Sequence, residues 1–134
     1  MTTVPMTPFL RLALRLDAAV SGACGLLMAG LPGPLAALTG LPGPLLVGAG
    51  LFLLPYGGVL AWLGGRAALP RPMLWLLVAG NLAWAVECAA LPLLGWVAPN
   101  GWGIAFLAMQ AVAVAVFAEL YLIALRRAAL RSAA

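Results

Sequence analysis

Several side chains capable of chemistry occur together in one apolar stretch of the sequence, NLAWAVECAALPLLG. Glu87 supplies a carboxyl group, Asn81 an amide and Trp84 an indole N–H. Ionisable residues inside apolar helices usually bind protons, ions or substrates. Pro92 adds a polar group of another kind, because it leaves the backbone carbonyl of Cys88 without its helical hydrogen bond. The stretch therefore predicts a proton or ligand site.

Two residues outside this stretch complete the candidate site. Counting about 1.5 Å per helical residue places Gln110 at the depth of Glu87 and Tyr56 at the depth of Asn81. Trp84 precedes Glu87 by one turn and could line a pocket or stack on an organic cation. The alternative is structural: Glu87 stays neutral, as carboxyl groups in lipid prefer, and donates a hydrogen bond to Gln110 that holds two helices together. Both interpretations remain open at this point.

A second group of charged residues is predicted near one membrane surface. Arg15, Asp17 and Glu119 lie at similar depths by the same count, with Arg126 and Arg127 closer to the water. Opposite charges near helix ends usually pair. We expect Arg15, Asp17 and Glu119 to form an interhelical charge cluster that holds the first long helix against the fourth.

The elements that must position these residues follow from composition. Apolar residues make up 66% of the 134 residues and charged residues only 7%, whereas soluble domains are about half apolar and a quarter charged. A small soluble fold could not bury so much apolar surface. Crossing a bilayer takes about 20 apolar residues. Four segments of that length form one predicted domain, an all-α four-helix bundle over residues 1–134: 12–31, 44–63, 73–94 and 102–125.

The arginines predict the orientation of this bundle. All seven basic residues are arginines, and they lie before the first segment, between the second and third, or after the fourth. The connections 32–43 and 95–101 contain none. Because positively charged connections stay in the cytoplasm, we expect an up-down bundle with both termini inside. The same distribution leaves no basic patch for nucleic acid.

Small residues and glycine-proline turns suggest how the helices pack and connect. The pentapeptide LPGPL occurs at residues 31–35 and 41–45, and the apolar residues 36–40 between its copies predict a short turn along the membrane surface. A helical stripe of alanines in the fourth segment predicts close packing, as an internal contact or as a dimer face: Ala108, Ala111, Ala115 and Ala118.

Other chemistries are not expected. The sequence contains no histidine, which argues against histidine-ligated haem, a conventional zinc site and a Ser-His-Asp hydrolase. Cys24 and Cys88 lie on different predicted helices and form no Cys-x-x-Cys motif. Asp17 interrupts the apolar core that a cleaved signal peptide would need. We therefore expect a non-enzymatic protein without metal or cofactor.

The chain resembles the small four-helix DoxX-like proteins of the bacterial inner membrane. The resemblance is carried by LDAAVSGACGLL at residues 16–27, by LTGL at 38–41 after a proline-rich turn, and by GLFLLPY at 50–56. It implies a fold and little chemistry. Small multidrug transporters also have four helices, but their essential glutamate lies in the first helix, where this chain has only Asp17.

The sequence thus predicts a multi-pass protein of a bacterial cytoplasmic membrane. We expect an accessory or scaffolding subunit that contacts lipid and forms a homo-oligomer or joins a larger membrane complex. The alternative is a proton-coupled carrier or channel for a small solute, with Glu87 as its site.

Overall fold

The structure, a computed structural model, describes residues 2–134. Four of its helices are long and apolar enough to cross a membrane, as judged by length and composition. The predictions of a helical chain and of four such helices are confirmed, and the chain is compatible with a multi-pass membrane protein. The elements in chain order are β1 (Thr3–Pro5), α1 (Pro8–Gly30), α2 (Pro32–Thr39), α3 (Gly43–Gly64), β2 (Ala68–Pro70), α4 (Arg71–Leu93) and α5 (Gly101–Ala133).

The first and last long helices extend further than the sequence predicts. The side chain of Thr7 accepts a hydrogen bond from the backbone N–H of Leu10, and Pro8 occupies the first turn, so α1 begins four residues before the predicted segment. α5 continues eight residues beyond the predicted end at 125. Alanine and arginine favour helix, so the polar end of α5 needs no lipid to stay helical. Asp17 consequently lies about 13 Å along α1, deeper than expected.

Two short elements were not predicted from the sequence. β1 and β2 form an antiparallel pair with Val4 opposite Leu69, and both of these side chains are buried. The prolines that end both strands cannot donate to a ladder, which keeps the pair short. The predicted surface turn after the first proline-rich segment is instead the helix α2, which ends at Gly40 in the left-handed conformation that favours glycine.

Glycines bring α1 and α3 into close contact. A Cβ atom added at Gly50 would lie 2.6 Å from the backbone nitrogen of Ala29 and 2.8 Å from the carbonyl oxygen of Gly25. One added at Gly57 would lie 3.2 Å from the carbonyl oxygen of Ala18. Small residues allow such backbone approach in membranes, where dispersion replaces the hydrophobic drive between helices. These glycines therefore determine how closely α1 packs on α3.

The alanine stripe of α5 does not form a comparable contact inside the bundle. Ala118 is buried, whereas Ala108 and Ala115 are exposed and Ala111 is half-buried. α5 instead turns its larger side chains inward, with Leu107, Phe117 and others among its buried residues. Of the two predicted roles for the stripe, an internal contact is therefore not observed.

The interior has two apolar clusters. One contains Leu10, Leu14, Leu60, Leu74 and Leu125. The other contains Met28, Leu46 and Leu107. Tyr56 packs against both clusters. The long helices also bury four polar side chains: Asp17, Ser21, Asn81 and Gln110.

Different contacts hold the two ends of the bundle together. At one end, an Arg11 Nη atom donates to the carbonyl oxygen of Gly64 over 2.6 Å, and the Arg127 guanidinium lies 4.7 Å from the ring centre of Phe9. At the other, Asn100 donates to the carbonyl oxygen of Leu38 and caps α5 by accepting from Gly103. We call the first the arginine end, after residues that meet there: Arg11, Arg66, Arg71, Arg127 and Arg131.

The close α1–α3 contact predicts a contrast between two glycines of the same helix. Gly50→Ala should lower the free energy of unfolding in detergent by about 1–3 kcal/mol, because its methyl group meets backbone atoms that cannot turn aside. Gly58 has open space around its Cβ position. Gly58→Ala should therefore be neutral or stabilising by up to about 1 kcal/mol, since alanine favours helix. Equal effects of the two substitutions in thermal unfolding would contradict the glycine contact.

Candidate functional site

Asp17 is the most deeply buried charged residue among residues 2–134. Only 1% of its surface is exposed. The hydroxyl group of Tyr121 on α5 donates to Asp17 Oδ2 over 2.7 Å, and the hydroxyl group of Ser21 donates to Asp17 Oδ1 over 3.1 Å. Ser21 follows Asp17 by four residues and so lies on the same face of α1. Both oxygens of the carboxyl group are therefore held inside the protein.

The other two long helices reach the same level. Asn81 on α4 lies beside the carboxyl group of Asp17, and its amide donates to the hydroxyl oxygen of Tyr56 on α3 over 3.3 Å. The same amide donates to the carbonyl oxygen of Leu77 over 2.8 Å. All four long helices therefore contribute to one buried polar group, which we call the Asp17 layer: Asp17, Ser21, Tyr56, Asn81 and Tyr121.

The Asp17 layer is well satisfied by hydrogen bonds but contains no positive charge. Within residues 2–134, every buried side-chain nitrogen and oxygen atom has a hydrogen-bond partner. The ion pair found in that part of the chain is Arg126–Glu119, and it involves exposed side chains 3.9 Å apart. A buried charge normally requires an opposite charge or a metal ion beside it. The hydrogen bonds of Asp17 therefore come from neutral groups alone.

A second polar contact links α4 to α5. The indole N–H of Trp84 donates to the amide oxygen of Gln110 over 3.1 Å, and Gln110 is 94% buried. The Trp84 ring also stacks on Phe52, with 5.9 Å between ring centres, and Phe52 stacks in turn on Tyr56. Aromatic stacking thus connects this contact to the Asp17 layer.

Glu87 does not make the predicted hydrogen bond to Gln110. Its side chain is exposed on the outer surface of α4, and Gln110 accepts from Trp84 instead. The interpretation of Glu87 as an internal link between helices is therefore wrong. Glu87 does share a small cavity with Trp84 and Gln110, so three of the five predicted site residues lie together there.

The predicted charge cluster is also not formed. Arg15 and Glu119 are both exposed, and Glu119 faces Arg126 about two turns further along its own helix. Asp17 lies on the opposite, buried side of α1 and belongs with Asn81 and Tyr56 rather than with the other charged residues. Depth along a helix does not determine the face on which a side chain lies.

Small cavities adjoin the buried polar residues. A cavity of about 60 Å³ is lined by Ser21, Tyr56, Asn81 and Trp84 among others. A neighbouring one of about 190 Å³ is lined by Ser21, Cys24, Trp84 and Gln110 with apolar side chains. The cavity that Glu87 borders has a volume of about 70 Å³. These spaces share Trp84 and lie on one side of the Asp17 layer.

The remaining reactive side chains are isolated. Cys24 is half-buried and Cys88 is buried, and both are free thiols. Across residues 2–134, no three cysteine, aspartate or glutamate side chains come close enough together to hold a metal ion. What the site offers chemically is hydroxyl, amide and carboxyl oxygens around a single acid.

Ser21 and Tyr121 are site residues that the sequence reasoning missed. The i to i+4 spacing of Asp17 and Ser21 was available as a signal for a shared helix face. A tyrosine in the last turns of a spanning helix is typical of the membrane interface, so the sequence position of Tyr121 gives no signal for a site. Its hydroxyl group is instead turned toward Asp17, 104 residues away in the chain.

Comparisons with protein-family models, curated proteins and solved structures found no match to this chain. The DoxX-like resemblance accordingly stays an expectation from the sequence.

The Asp17–Tyr121 hydrogen bond predicts energetic coupling between α1 and α5. Tyr121→Phe should cost about 1–3 kcal/mol of unfolding free energy, because it leaves the carboxyl group one donor short. Combining it with Asp17→Asn should cost less than the sum of the single changes, by on the order of 1 kcal/mol. Thermal unfolding in detergent of all four proteins measures this coupling.

Arg15 and Glu119 provide the control for that cycle. Because their side chains are exposed and do not pair with each other, the effects of Arg15→Ala and Glu119→Gln should add within about 0.5 kcal/mol. Additivity for Asp17 and Tyr121, or coupling for Arg15 and Glu119, would contradict the observed arrangement.

Proposed function

We propose that this protein is a non-enzymatic subunit of a bacterial inner membrane, with an accessory or scaffolding role in a larger membrane complex. Four apolar helices of spanning length support residence in a membrane. The observation that carries the accessory role is the exposed carboxyl group of Glu87 on a helix whose outer surface is otherwise apolar.

The proposed topology is up-down, with both termini in the cytoplasm. It is supported by the absence of arginine from residues 32–43 and 95–101. It is also supported by the contacts at the arginine end, where β1, β2 and the last turns of α5 meet. Trp62 beneath Arg66 and the exposed Trp75 suit the cytoplasmic interface.

The interior favours a subunit over a carrier of organic solutes. Pockets that bind drug-sized molecules measure about 300–1,000 Å³. The cavities that touch the buried polar residues measure about 60, 70 and 190 Å³. They could hold water or a very small solute. The polar groups inside this bundle are better suited to joining its helices than to enclosing a metabolite.

The surface position of Glu87 favours a protein partner. Glu87 lies six residues before the end of α4 at Leu93, about 9 Å inside the span. Its neighbour Val86 is 65% exposed and Leu82 is 45% exposed. A carboxyl group among lipid-facing side chains is costly. A polar group of a partner helix at this position would satisfy it.

The topology can be tested by cysteine labelling in whole cells. In a chain with Cys24 and Cys88 replaced, Ala37→Cys should react with a membrane-impermeant thiol reagent added outside, because residue 37 lies in the arginine-free connection. Ala67→Cys is the matched alanine in the arginine-containing connection, and it should react only after the cells are opened. Labelling in the reverse pattern would contradict the proposed orientation.

The accessory role predicts separate effects on stability and association. Glu87→Leu should change the free energy of unfolding of the isolated protein by no more than about 0.5 kcal/mol, because Glu87 is exposed and has no hydrogen-bond partner in residues 2–134. It should nevertheless reduce recovery of a larger complex from membranes in mild detergent. Native mass and subunit composition measure the association.

Glu119→Leu is the matched control, because Glu119 is also an exposed glutamate within a long helix. It should leave the complex intact. Recovery of the wild-type chain only alone or as a small homo-oligomer would contradict the accessory role.

The second candidate function is a proton-coupled carrier or channel for a small solute. It is favoured by the cavity that Glu87, Trp84 and Gln110 share. In this case Glu87→Gln should fold normally and abolish proton-coupled flux in proteoliposomes, because an amide cannot exchange a proton. A stable Glu87→Gln protein with full flux would exclude Glu87 as the transport site.

A further inference from the structure

The charge of the Asp17 layer must be balanced without a basic residue. An isolated carboxylate in a medium of low polarity is costly unless an opposite charge lies beside it. The groups that face Asp17 are Tyr121 from α5, Tyr56 from α3, Asn81 from α4 and Ser21 from its own helix. All four are uncharged. No arginine nitrogen lies within 4.0 Å of Asp17 in the described chain.

The hydrogen bonds of the layer accommodate a proton without any rearrangement of heavy atoms. A proton on Asp17 Oδ1 can be donated to Ser21 Oγ over the same 3.1 Å, because a hydroxyl group both donates and accepts. The Ser21 hydroxyl is then free to turn back to a carbonyl one turn earlier, a common arrangement for serine in helices. Tyr121 still donates to Oδ2, which becomes the carbonyl oxygen of the acid.

The two sides of the layer differ in how closely they are packed. Toward the arginine end, Leu10, Leu14, Leu60 and Leu74 are buried and pack together. On the other side, Ser21 lines both the cavity of about 60 Å³ and that of about 190 Å³. A water molecule occupies about 30 Å³ in the liquid, so either cavity has room for one.

We propose that the Asp17 layer is an intramembrane proton-binding site, in which Asp17 holds the proton and Ser21 exchanges it with the cavity next to Trp84 and Gln110. The bound ligand is a proton, since the donors already surround the carboxyl group and a proton needs no further space. This site is distinct from Glu87, and it exists whether or not a partner subunit binds at Glu87. An experiment can therefore contradict the proton site without contradicting the proposed accessory function, and the reverse also holds.

The wild-type chain allows a direct test, because Asp17 is its single aspartate. The protein is labelled with ¹³C at the aspartate side-chain carboxyl, reconstituted in lipid vesicles at neutral pH and measured by infrared spectroscopy. We expect an isotope-shifted carbonyl band of a protonated acid. This band should be lost in Asp17→Asn and kept in Glu119→Gln. A spectrum in which the labelled group gives only carboxylate bands would overturn the proposal.

The exchange step is tested by transfer to D₂O. The acid band shifts when deuterium replaces the proton. The rate of that shift measures how fast the proton on Asp17 exchanges with water. Ser21→Ala should keep the band and slow the shift by roughly tenfold, which corresponds to about 1.4 kcal/mol in the exchange barrier. Ser132→Ala, the matched change at the other serine of the chain, should have no effect. A wild-type rate in Ser21→Ala would overturn the assigned route.

Discussion

A polar group buried in a bundle of apolar helices must form its hydrogen bonds within the protein. Asp17 is the charged residue to which this requirement applies most strongly. It is 99% buried, and it accepts hydrogen bonds from Tyr121 on α5 and from Ser21 on its own helix. The 2.7 Å hydrogen bond from Tyr121 fixes α5 against α1 at one rotation and one depth. Because apolar contacts in lipid tolerate sliding and rotation more readily than hydrogen bonds do, this interaction gives the bundle its register.

Backbone proximity and polar contact have different roles in the assembly. Gly50 and Gly57 allow α3 to pack directly on α1, and this packing depends on dispersion between closely spaced backbones. α3 and α4 instead meet through longer side chains, with Asn81 bonded to Tyr56 and Trp84 stacked on Phe52. Glycine contacts thus hold α1 and α3 together, and polar and aromatic side chains join this pair to α4.

Two acidic residues of this chain show how position determines role. Asp17 is inside, where neutral donors surround it, and we propose that it binds a proton. Glu87 is exposed on the outer surface of α4, and we propose that a partner supplies a hydrogen-bond donor to it. The cavities near these two residues, of about 60, 70 and 190 Å³, are smaller than pockets that bind drug-sized molecules. We therefore propose proton binding inside the bundle and association with a partner at its surface.

The sequence alone determined the helical class and the positions of the four long helices, because length and hydrophobicity are local properties that lipid imposes on any spanning segment. It also identified Asn81, Tyr56, Trp84 and Gln110 as polar residues at related depths. It did not determine which of these side chains form hydrogen bonds with each other, because depth leaves the rotation of each helix open. Rotation follows from packing, which the glycines of α1 and α3 and the hydroxyl of Tyr121 decide together. Only the tertiary structure could therefore place Asp17 inside the bundle and Glu87 outside it.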